Sequence, residues 1–256
     1  MSADKWRLDG KLALVTGGTQ GIGLATVREF LARGAHVVVV ARTAEDLERQ
    51  TGEYNGREQV AHSVCADVST SEGRKRIAVA IRDLGGILHA LVNNVGVNTP
   101  QPAVDVRLED FGRIMATNAE AAFDLCCRAQ PFLKAAHGGA VVNVASIAGV
   151  LAGRTGAPYA MSKAALIHMA KCLGVEWASD LIRVNSVAPW FTRTPRLERK
   201  LENAEFMRAV CNRTPLRRLA EAEEVAAAVV FLCLPAASYI TGHCLLVDGG
   251  ATHYEF

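Results

Sequence analysis

The sequence lacks the features that mark membrane proteins and polyanion binders. No apolar run reaches the roughly 18 residues that cross a bilayer, and the longest, VAAAVVFLCL, stops at Pro235. The first ten residues, MSADKWRLDG, hold no apolar signal core, which predicts a cytoplasmic location. The net charge of +2 comes from 28 basic and 26 acidic residues scattered along the chain. Since such a chain has no field to gather polyanions, we expect neither nucleic acid nor membrane as a partner.

Patterns for metal binding and disulfide chemistry are also missing. No C-x-x-C and no H-x-x-x-H spacing occurs, so no metal site is predicted. The seven cysteines are an odd number in mostly apolar surroundings. We interpret them as reduced packing residues.

Short runs rich in Val, Leu and Ile recur, and stretches with helical periodicity separate them. The runs are LALVTG, HVVVVA, LHALVNN, AVVNVAS, IRVNSVA and HCLLVDGG. This alternation indicates parallel strands joined by helical crossovers, and near-continuous apolar strands are typical of a sheet covered on both faces. We therefore predict a doubly wound, mainly parallel α/β sheet in a single domain, residues 1–256. The irregular segment 190–220 should form one or two short helices outside the sheet.

A glycine loop follows the first predicted strand. Gly17, Gly21 and Gly23 are spaced G-x-x-x-G-x-G between that strand and an amphipathic helix. Glycine lets the backbone approach a pyrophosphate, and the helix directs its first N–H groups at that anion. This context predicts a dinucleotide site in preference to a purely structural turn.

The end of the second strand indicates which dinucleotide binds. Arg42 and Thr43 stand there, and no acid occurs before Glu45. A carboxylate at this position would repel a 2′-phosphate, whereas a guanidinium and a hydroxyl can donate to one. The sequence therefore predicts NADP(H), unless Arg42 is only a solvated surface residue.

A tyrosine and a lysine lie one helical turn apart. Pro158 suits the first turn of a helix, on which Tyr159 and Lys163 share a face. A nearby ammonium stabilises a phenolate, so we expect a lowered Tyr159 pKa and proton exchange closer to neutral pH. Ser146, at the end of a strand, can hydrogen-bond a carbonyl or alcohol oxygen from the other side. An exposed i,i+4 pair is the alternative when Y-x-x-x-K is taken alone.

Together these motifs resemble the short-chain dehydrogenase/reductase family over essentially the whole chain. The family's T-G-x-x-x-G-x-G is Thr16 to Gly23, its adenine-side acid is Asp67, and its N-N-A-G spans residues 93–96 with Val95 in place of alanine. Several segments, including RVNSVAP and FLCLPAASYITGHCLLVDGG, resemble tropinone reductases and their relatives more narrowly. The resemblance implies a Rossmann-type seven-stranded sheet, with residues 1–145 mainly binding cofactor and 146–256 mainly catalysing and binding substrate.

The resemblance also implies the site residues. The catalytic tetrad is Asn118, Ser146, Tyr159 and Lys163. The expected cofactor contacts are Gly17, Thr19, Gln20, Gly21, Ile22, Gly23, Arg42, Thr43, Asp67, Val68, Asn94, Gly96, Tyr159, Lys163, Pro189, Thr192 and Thr194. Tyr159 would exchange the proton, Ser146 would bind the oxygen on which charge develops, and Lys163 would hold the nicotinamide ribose. Asn118 would hold a water linked to Lys163, or would merely kink its helix.

The expected substrate contacts are Ser146, Ala148, Tyr159, Trp190 and Phe191. Trp190 replaces a family glycine and is interpreted as a wall of the cleft, with plain packing as the alternative. These largely apolar positions favour a compact ketone. The basic side chains of segment 190–211 are interpreted as a solvated helix face, yet leave open an anionic carrier; they are Arg193, Arg196, Arg199, Lys200 and Arg208.

Two alternatives to a ketone reductase remain. One is a 3-oxoacyl-thioester reductase of the same family, and the other is a non-catalytic NADP(H)-binding regulator. The resemblance further implies a homo-oligomer, with a tetramer favoured and a dimer possible.

Overall fold

Alternating β-branched runs and helical segments produce a parallel sheet in the computed structural model, which describes residues 4–52 and 61–254. The strands are β1 (Leu12–Thr16), β2 (His36–Ala41), β3 (Ala61–Cys65), β4 (Ala90–Asn93), β5 (Ala140–Val144), β6 (Arg183–Pro189) and β7 (Cys244–Val247). They form one sheet in the order β3-β2-β1-β4-β5-β6-β7, and all neighbouring pairs are parallel. The predicted doubly wound, single-domain α/β fold is confirmed. The edge strand β3 is mostly not buried, so its residues form no apolar run and the sequence patterns did not predict it.

The helices cover both faces of this sheet. Within the described residues they are α1 (Gly21–Ala32), α2 (Ala44–Gly52), α3 (Ser71–Asp83), α4 (Leu108–Met115), α5 (Ala121–Ala135), α6 (Ala157–Glu176), α7 (Glu198–Leu201), α8 (Ala204–Arg213) and α9 (Ala222–Cys233). Phe30 of α1 and Val229 of α9 share one buried cluster with Val15 of β1. Leu14, the residue before Val15 on β1, packs in the cluster on the opposite face of the sheet, which α3, α5 and α6 cover. Consecutive residues of a strand thus point to opposite faces of the sheet and contribute to two hydrophobic cores.

The order of the strands changes direction between β1 and β4, since β2 and β3 lie on one side of β1 and β4 to β7 lie on the other. In doubly wound folds the crevice beyond the carboxyl ends of strands at such a point binds ligands. Here the loop after β1 faces the residues that follow β4, because the Asn94 amide Nδ2 donates to the Thr16 carbonyl oxygen over 3.0 Å. The topology therefore brings the glycine loop and the 93–96 motif together.

Segment 190–220 forms the short helices predicted outside the sheet. A 3-10 turn at Pro195–Leu197 leads into α7, and α8 follows. The Asn203 side chain caps α8 by accepting hydrogen bonds from the backbone N–H groups of Glu205 and Phe206. None of the helices in the described part of the chain is long and apolar enough to cross a membrane.

The cysteines are free, but the interpretation of them as packing residues is wrong for three of the seven. Cys126 and Cys233 are buried, and burial raises the pKa of each thiol to about 12. Cys65, Cys127 and Cys172 are exposed. Small size on a helix or an edge strand permits either position, so residue type alone did not separate them.

Candidate active site

The glycine loop has a shape that only glycine permits. Gly17 and Gly21 have φ of +65° and +53°, the left-handed region that other residues rarely adopt. A Cβ on Gly23 would lie 2.0 Å from the Gly17 carbonyl oxygen. The side chain of the N-cap residue Gln20 makes no capping hydrogen bond with the first turn of α1. The loop is therefore a cradle beside unpaired helix N–H donors, which fits the pyrophosphate of a dinucleotide.

The residues after β4 form the other wall of the cradle. Besides its bond to Thr16, the Asn94 amide donates to the Gly17 carbonyl oxygen over 3.2 Å. A Cβ on Gly96 would lie 3.1 Å from Lys163 Nζ. Val95 packs against the core and also lies close to Gly17. A Cβ added to Gly17 would lie 3.1 Å from Val95 Cγ2. Asn94 thus holds the loop in place, and Gly96 leaves room beside the lysine.

Three residues at the other end of the crevice fit the adenosine side of a dinucleotide. Arg42 and Thr43 are exposed just beyond β2. Burial favours the neutral form of Asp67, but hydrogen bonds from Ser69 and the charge of Arg42 together lower its pKa. The Arg42 guanidinium and the Asp67 carboxylate therefore share this end, and Arg42 is available to an anionic group.

The predicted catalytic side chains converge at the carboxyl end of β5. Ser146 lies two residues beyond the strand, and its Oγ accepts a hydrogen bond from the Ala148 N–H. Tyr159 and Lys163 occupy the first turns of α6, with Lys163 Nζ 5.7 Å from the centre of the Tyr159 ring. The buried ammonium donates to the Val144 carbonyl oxygen over 2.8 Å. The geometry brings Ser146, Tyr159 and Lys163 together as expected, and Y-x-x-x-K is not an exposed pair.

The electrostatics of this group differ from the expectation. Burial raises the Tyr159 pKa and outweighs hydrogen bonding with Ser146 and the charge of Arg196, both of which lower it. Burial also lowers the Lys163 pKa to about 7, with a further contribution from Arg196. The expected lowering of the phenol pKa by Lys163 is therefore wrong for this structure. Desolvation dominates because the start of α6 packs against residues 147–149 and Lys163 reaches the end of β5.

Asn118 connects the site to the 97–102 loop. It is buried in a π-helical turn, Ala116–Glu120, so the helix distortion weighed as an alternative is present. Its amide accepts from the Val97 N–H at 2.7 Å and donates to the Val97 carbonyl oxygen and to Ser162 Oγ. Ser162 Oγ in turn donates to the Tyr159 carbonyl oxygen over 2.7 Å. Sequence reasoning missed Ser162, whose signal was a polar residue on the buried face of α6.

The loop after β6 reaches across to the glycine loop. A Cβ on Gly21 would lie 3.2 Å from Thr194 Cγ2. Thr192 is buried, and its hydroxyl donates to the Trp190 carbonyl oxygen. Pro189 ends β6 directly before this loop. The cofactor contacts expected in this loop thus lie between the cradle and the end of β6.

Trp190 is held mainly by packing. Its indole N–H donates to Thr214 Oγ1 over 3.1 Å, and its ring meets Phe191 edge-on at 4.4 Å. Phe191 in turn meets Phe206 of α8 at 5.3 Å. Trp190 and Phe191 line a cavity of about 100 Å³ whose other walls come from residues 214–224 and 247–249. The packing alternative is therefore present, and contact of Trp190 with substrate stays a prediction.

The basic side chains of segment 190–211 are exposed wherever the structure describes them, yet one of them reaches the candidate site. Arg193 pairs with Glu221 at the surface, which agrees with the interpretation of a solvated face. Arg196 is exposed as well, as that interpretation expects, but its Nη1 also donates to the Gly96 carbonyl oxygen over 3.1 Å, beside the lysine. The side chain of Arg199 lies outside the described residues. Sequence reasoning had no signal for Arg196, since its partner is 100 residues away.

Comparison with known proteins agrees with this geometry. The family model described as enoyl-(acyl carrier protein) reductase matches residues 17–252. A tropinone reductase homolog of Arabidopsis thaliana is 44% identical over 254 residues, covering 98% of this chain and 96% of the relative. The crystal structure of L-sorbose reductase from Gluconobacter frateurii, complexed with NADPH and L-sorbose, is 31% identical, covers 98% of this chain and 100% of that chain, and has a TM-score of 0.93. A short-chain type dehydrogenase/reductase from Mycobacterium marinum is also 31% identical, with 97% and 98% covered and a TM-score of 0.90.

A glycine cradle, a Ser-Tyr-Lys group at the end of β5 and relatives that match nearly end to end lead to one assignment. The chain belongs to the short-chain dehydrogenase/reductase family of oxidoreductases and is tropinone reductase-like.

Proposed function

We propose that this protein is an NADP(H)-dependent oxidoreductase that interconverts a ketone and a secondary alcohol, with Tyr159 as the general acid and base. The observation that carries the proposal is the convergence of Ser146, Tyr159 and Lys163 beside Gly96, at the end of the glycine cradle. In this arrangement residues 1–145 mainly bind the cofactor, and residues 146–256 mainly supply catalysis and the substrate site.

The described side chains divide the chemistry among them. A bound nicotinamide supplies or accepts the hydride. Tyr159 donates a proton to the carbonyl oxygen during reduction, and its raised pKa keeps the phenol protonated at neutral pH. Ser146 donates to the same oxygen as charge develops there. Lys163 holds the nicotinamide ribose, and Asn118 holds the loop and the tyrosine helix in register.

The cofactor preference rests on the end of β2. Arg42 is exposed and interacts with Asp67, while Glu45 already belongs to α2. A guanidinium placed there favours a 2′-phosphate, and no strand-end carboxylate repels it. We expect a much higher kcat/KM with NADPH than with NADH. Comparable values in side-by-side assays would contradict the preference.

The substrate is a compact, largely apolar carbonyl compound, tropinone-like or otherwise cyclic. Support comes from the aromatic contacts of Trp190, Phe191 and Phe206 near the cleft. A reduction panel should contain bicyclic amino ketones, steroid and terpenoid ketones, and acetoacetyl thioesters. Dominant activity on the thioesters would favour a 3-oxoacyl-thioester reductase.

The role of Tyr159 is tested with Tyr159→Phe, which keeps the ring and removes the acid. We expect kcat to fall by about 10²–10⁴-fold while NADPH still binds. Near-wild-type turnover would contradict the assignment. NADPH binding by the wild type without turnover of any panel member would instead indicate a regulator.

We also propose a homo-oligomer, a tetramer in preference to a dimer. Phe123 of α5 and Met161 of α6 each expose about half of their surface. These two helices carry the side chains around Asn118 and Tyr159, so a pairing of subunits there would bury the exposed side chains next to the site. Sedimentation of the purified protein distinguishes the two states.

A further inference from the structure

Arg196 differs from the other basic side chains on its segment. Arg193 has Glu221 as a surface partner, and Lys200 Nζ lies 6.0 Å from the Phe206 ring. Arg196 is exposed like them, but it donates to the Gly96 carbonyl oxygen beside the candidate site. Within residues 4–52 and 61–254, no carboxylate forms an ion pair with it. Its charge therefore lies at the candidate active site without a compensating anion.

The guanidinium lies at the tyrosine–lysine end of the crevice. Its acceptor, Gly96, lies beside Lys163 and Asn118. A Cβ added to Gly96 would lie 3.1 Å from Lys163 Nζ and 3.6 Å from Asn118 Oδ1. The pKa values of Tyr159 and Lys163 respond first to burial, and the positive charge of Arg196 lowers both. Arg196 is thus close enough to act on the two groups that would handle the proton and the ribose.

We propose that Arg196 binds a carboxylate of the substrate, so that the carbonyl compound reduced at this site is a keto acid and its alcohol a hydroxy acid. The inference rests on the proposed function and adds one anionic group to the compact apolar body. Only one hydrogen bond engages the guanidinium, and its remaining N–H donors form a planar fork that matches a carboxylate.

The position of Arg196 distinguishes substrate from cofactor. Thr194, two residues earlier, is the residue that meets Gly21 and hence the phosphate cradle. Arg196 extends past that point to Gly96. A phosphate of the cofactor would need the guanidinium to turn back towards Gly21, whereas a carboxylate on a substrate near Tyr159 would lie within its reach.

The test uses ketones that differ only in charge. 4-Oxocyclohexanecarboxylate and 4-oxopentanoate are each compared with the corresponding amide, which has nearly the same shape. We expect the wild type to prefer the carboxylates by about tenfold or more in kcat/KM, since hydrogen bonds to charged groups are worth about that factor. Arg196→Gln should bring the carboxylate-to-amide ratio of kcat/KM close to one, because it removes the charge that distinguishes the two substrates. Arg196→Lys should keep part of the preference, because it retains charge and loses the fork.

Arg193→Gln is the matched control, because it removes a paired arginine from the same segment. It should leave the carboxylate preference unchanged. Calorimetry of each keto acid with the protein–NADP⁺ complex reports binding without turnover. If the wild type reduces no ketone, the proposed function fails, and calorimetry still decides whether Arg196 binds the carboxylate.

Three results would overturn the inference. The wild type could show no carboxylate preference in either assay, or Arg196→Gln could weaken acid and amide equally. Arg196→Gln could also weaken NADPH binding by about tenfold, the factor expected for the carboxylate. That result would assign the guanidinium to the cofactor.

Discussion

Gly23→Ala tests the structure at the point where α1 touches the glycine loop. The added Cβ would lie 2.0 Å from the Gly17 carbonyl oxygen and 2.6 Å from Asn94 Nδ2. A real carbon needs more than 3.0 Å from such atoms, so the overlap is roughly 1 Å. Neither neighbour can turn away cheaply, since one is backbone and the other is hydrogen-bonded to Thr16 and Gly17.

The expected magnitude follows from two opposing effects. Forcing one extra carbon into a packed site costs typically about 1–3 kcal/mol. Replacing glycine by alanine in a helix gains up to about 1 kcal/mol, and less near its first turn. We therefore expect Gly23→Ala to lower the free energy of unfolding by about 1–2 kcal/mol, which lowers Tm by about 3–6 °C for a chain of this size. Displacing the cradle carbonyl should also weaken NADPH binding by about tenfold or more.

Gly112→Ala supplies the matched control. Gly112 also lies in a helix, α4, but a Cβ there would meet nothing within 4 Å. The same substitution should therefore stabilise by about 0.5–1 kcal/mol and leave NADPH affinity unchanged. Urea unfolding and fluorescence titration with NADPH measure both quantities. A Gly23→Ala protein with wild-type stability and wild-type NADPH affinity would refute the close contact.

Three further substitutions test other contacts. His89 Nδ1 accepts the Leu12 N–H, and burial together with the Lys11 charge lowers the His89 pKa to about 4. The unfolded imidazole titrates near 6.5, so the unfolded chain binds more protons between these values and stability falls as pH drops from about 6.5 to 4. The free energy of unfolding should fall by about 1–2 kcal/mol after allowance for partial exposure. His89→Asn should reduce this difference between urea unfolding at pH 7.5 and at pH 5. An unchanged pH dependence in the variant would contradict the shift. Ser162→Ala leaves an Asn118 N–H buried without its acceptor, so we expect a loss of about 1–3 kcal/mol by urea unfolding, and wild-type stability would show that the amide finds another partner. Trp190→Gly should cost about 2–4 kcal/mol and widen the substrate range; unchanged Michaelis constants in a folded variant would remove Trp190 from the substrate site.

Local pattern was enough for the larger part of the fold. Val-rich runs such as HVVVVA could only be strands covered on both faces, and β2 spans that run. The edge strand β3 escaped this reasoning because half-exposed strands carry mixed residues. Pro158, which suits a first helical turn, placed the helix that carries Tyr159 and Lys163, and α6 begins at Ala157.

Some properties of the site could not be predicted from residue types. The direction of the Tyr159 pKa depends on how deeply α6 is buried, which no spacing encodes. Trp190 could be a wall or a packing residue until its partner Thr214 was known.

The sequence by itself determined the α/β class, the family, the glycine loop and the candidate Ser-Tyr-Lys set, because each depends on periodicity or on short local motifs. Only the tertiary structure decided that Ser162 supports Asn118 and that Arg196 reaches Gly96. These contacts join residues 44 and 100 positions apart. Such pairs become neighbours only when the strands and helices have packed, so their chemistry is a property of the fold.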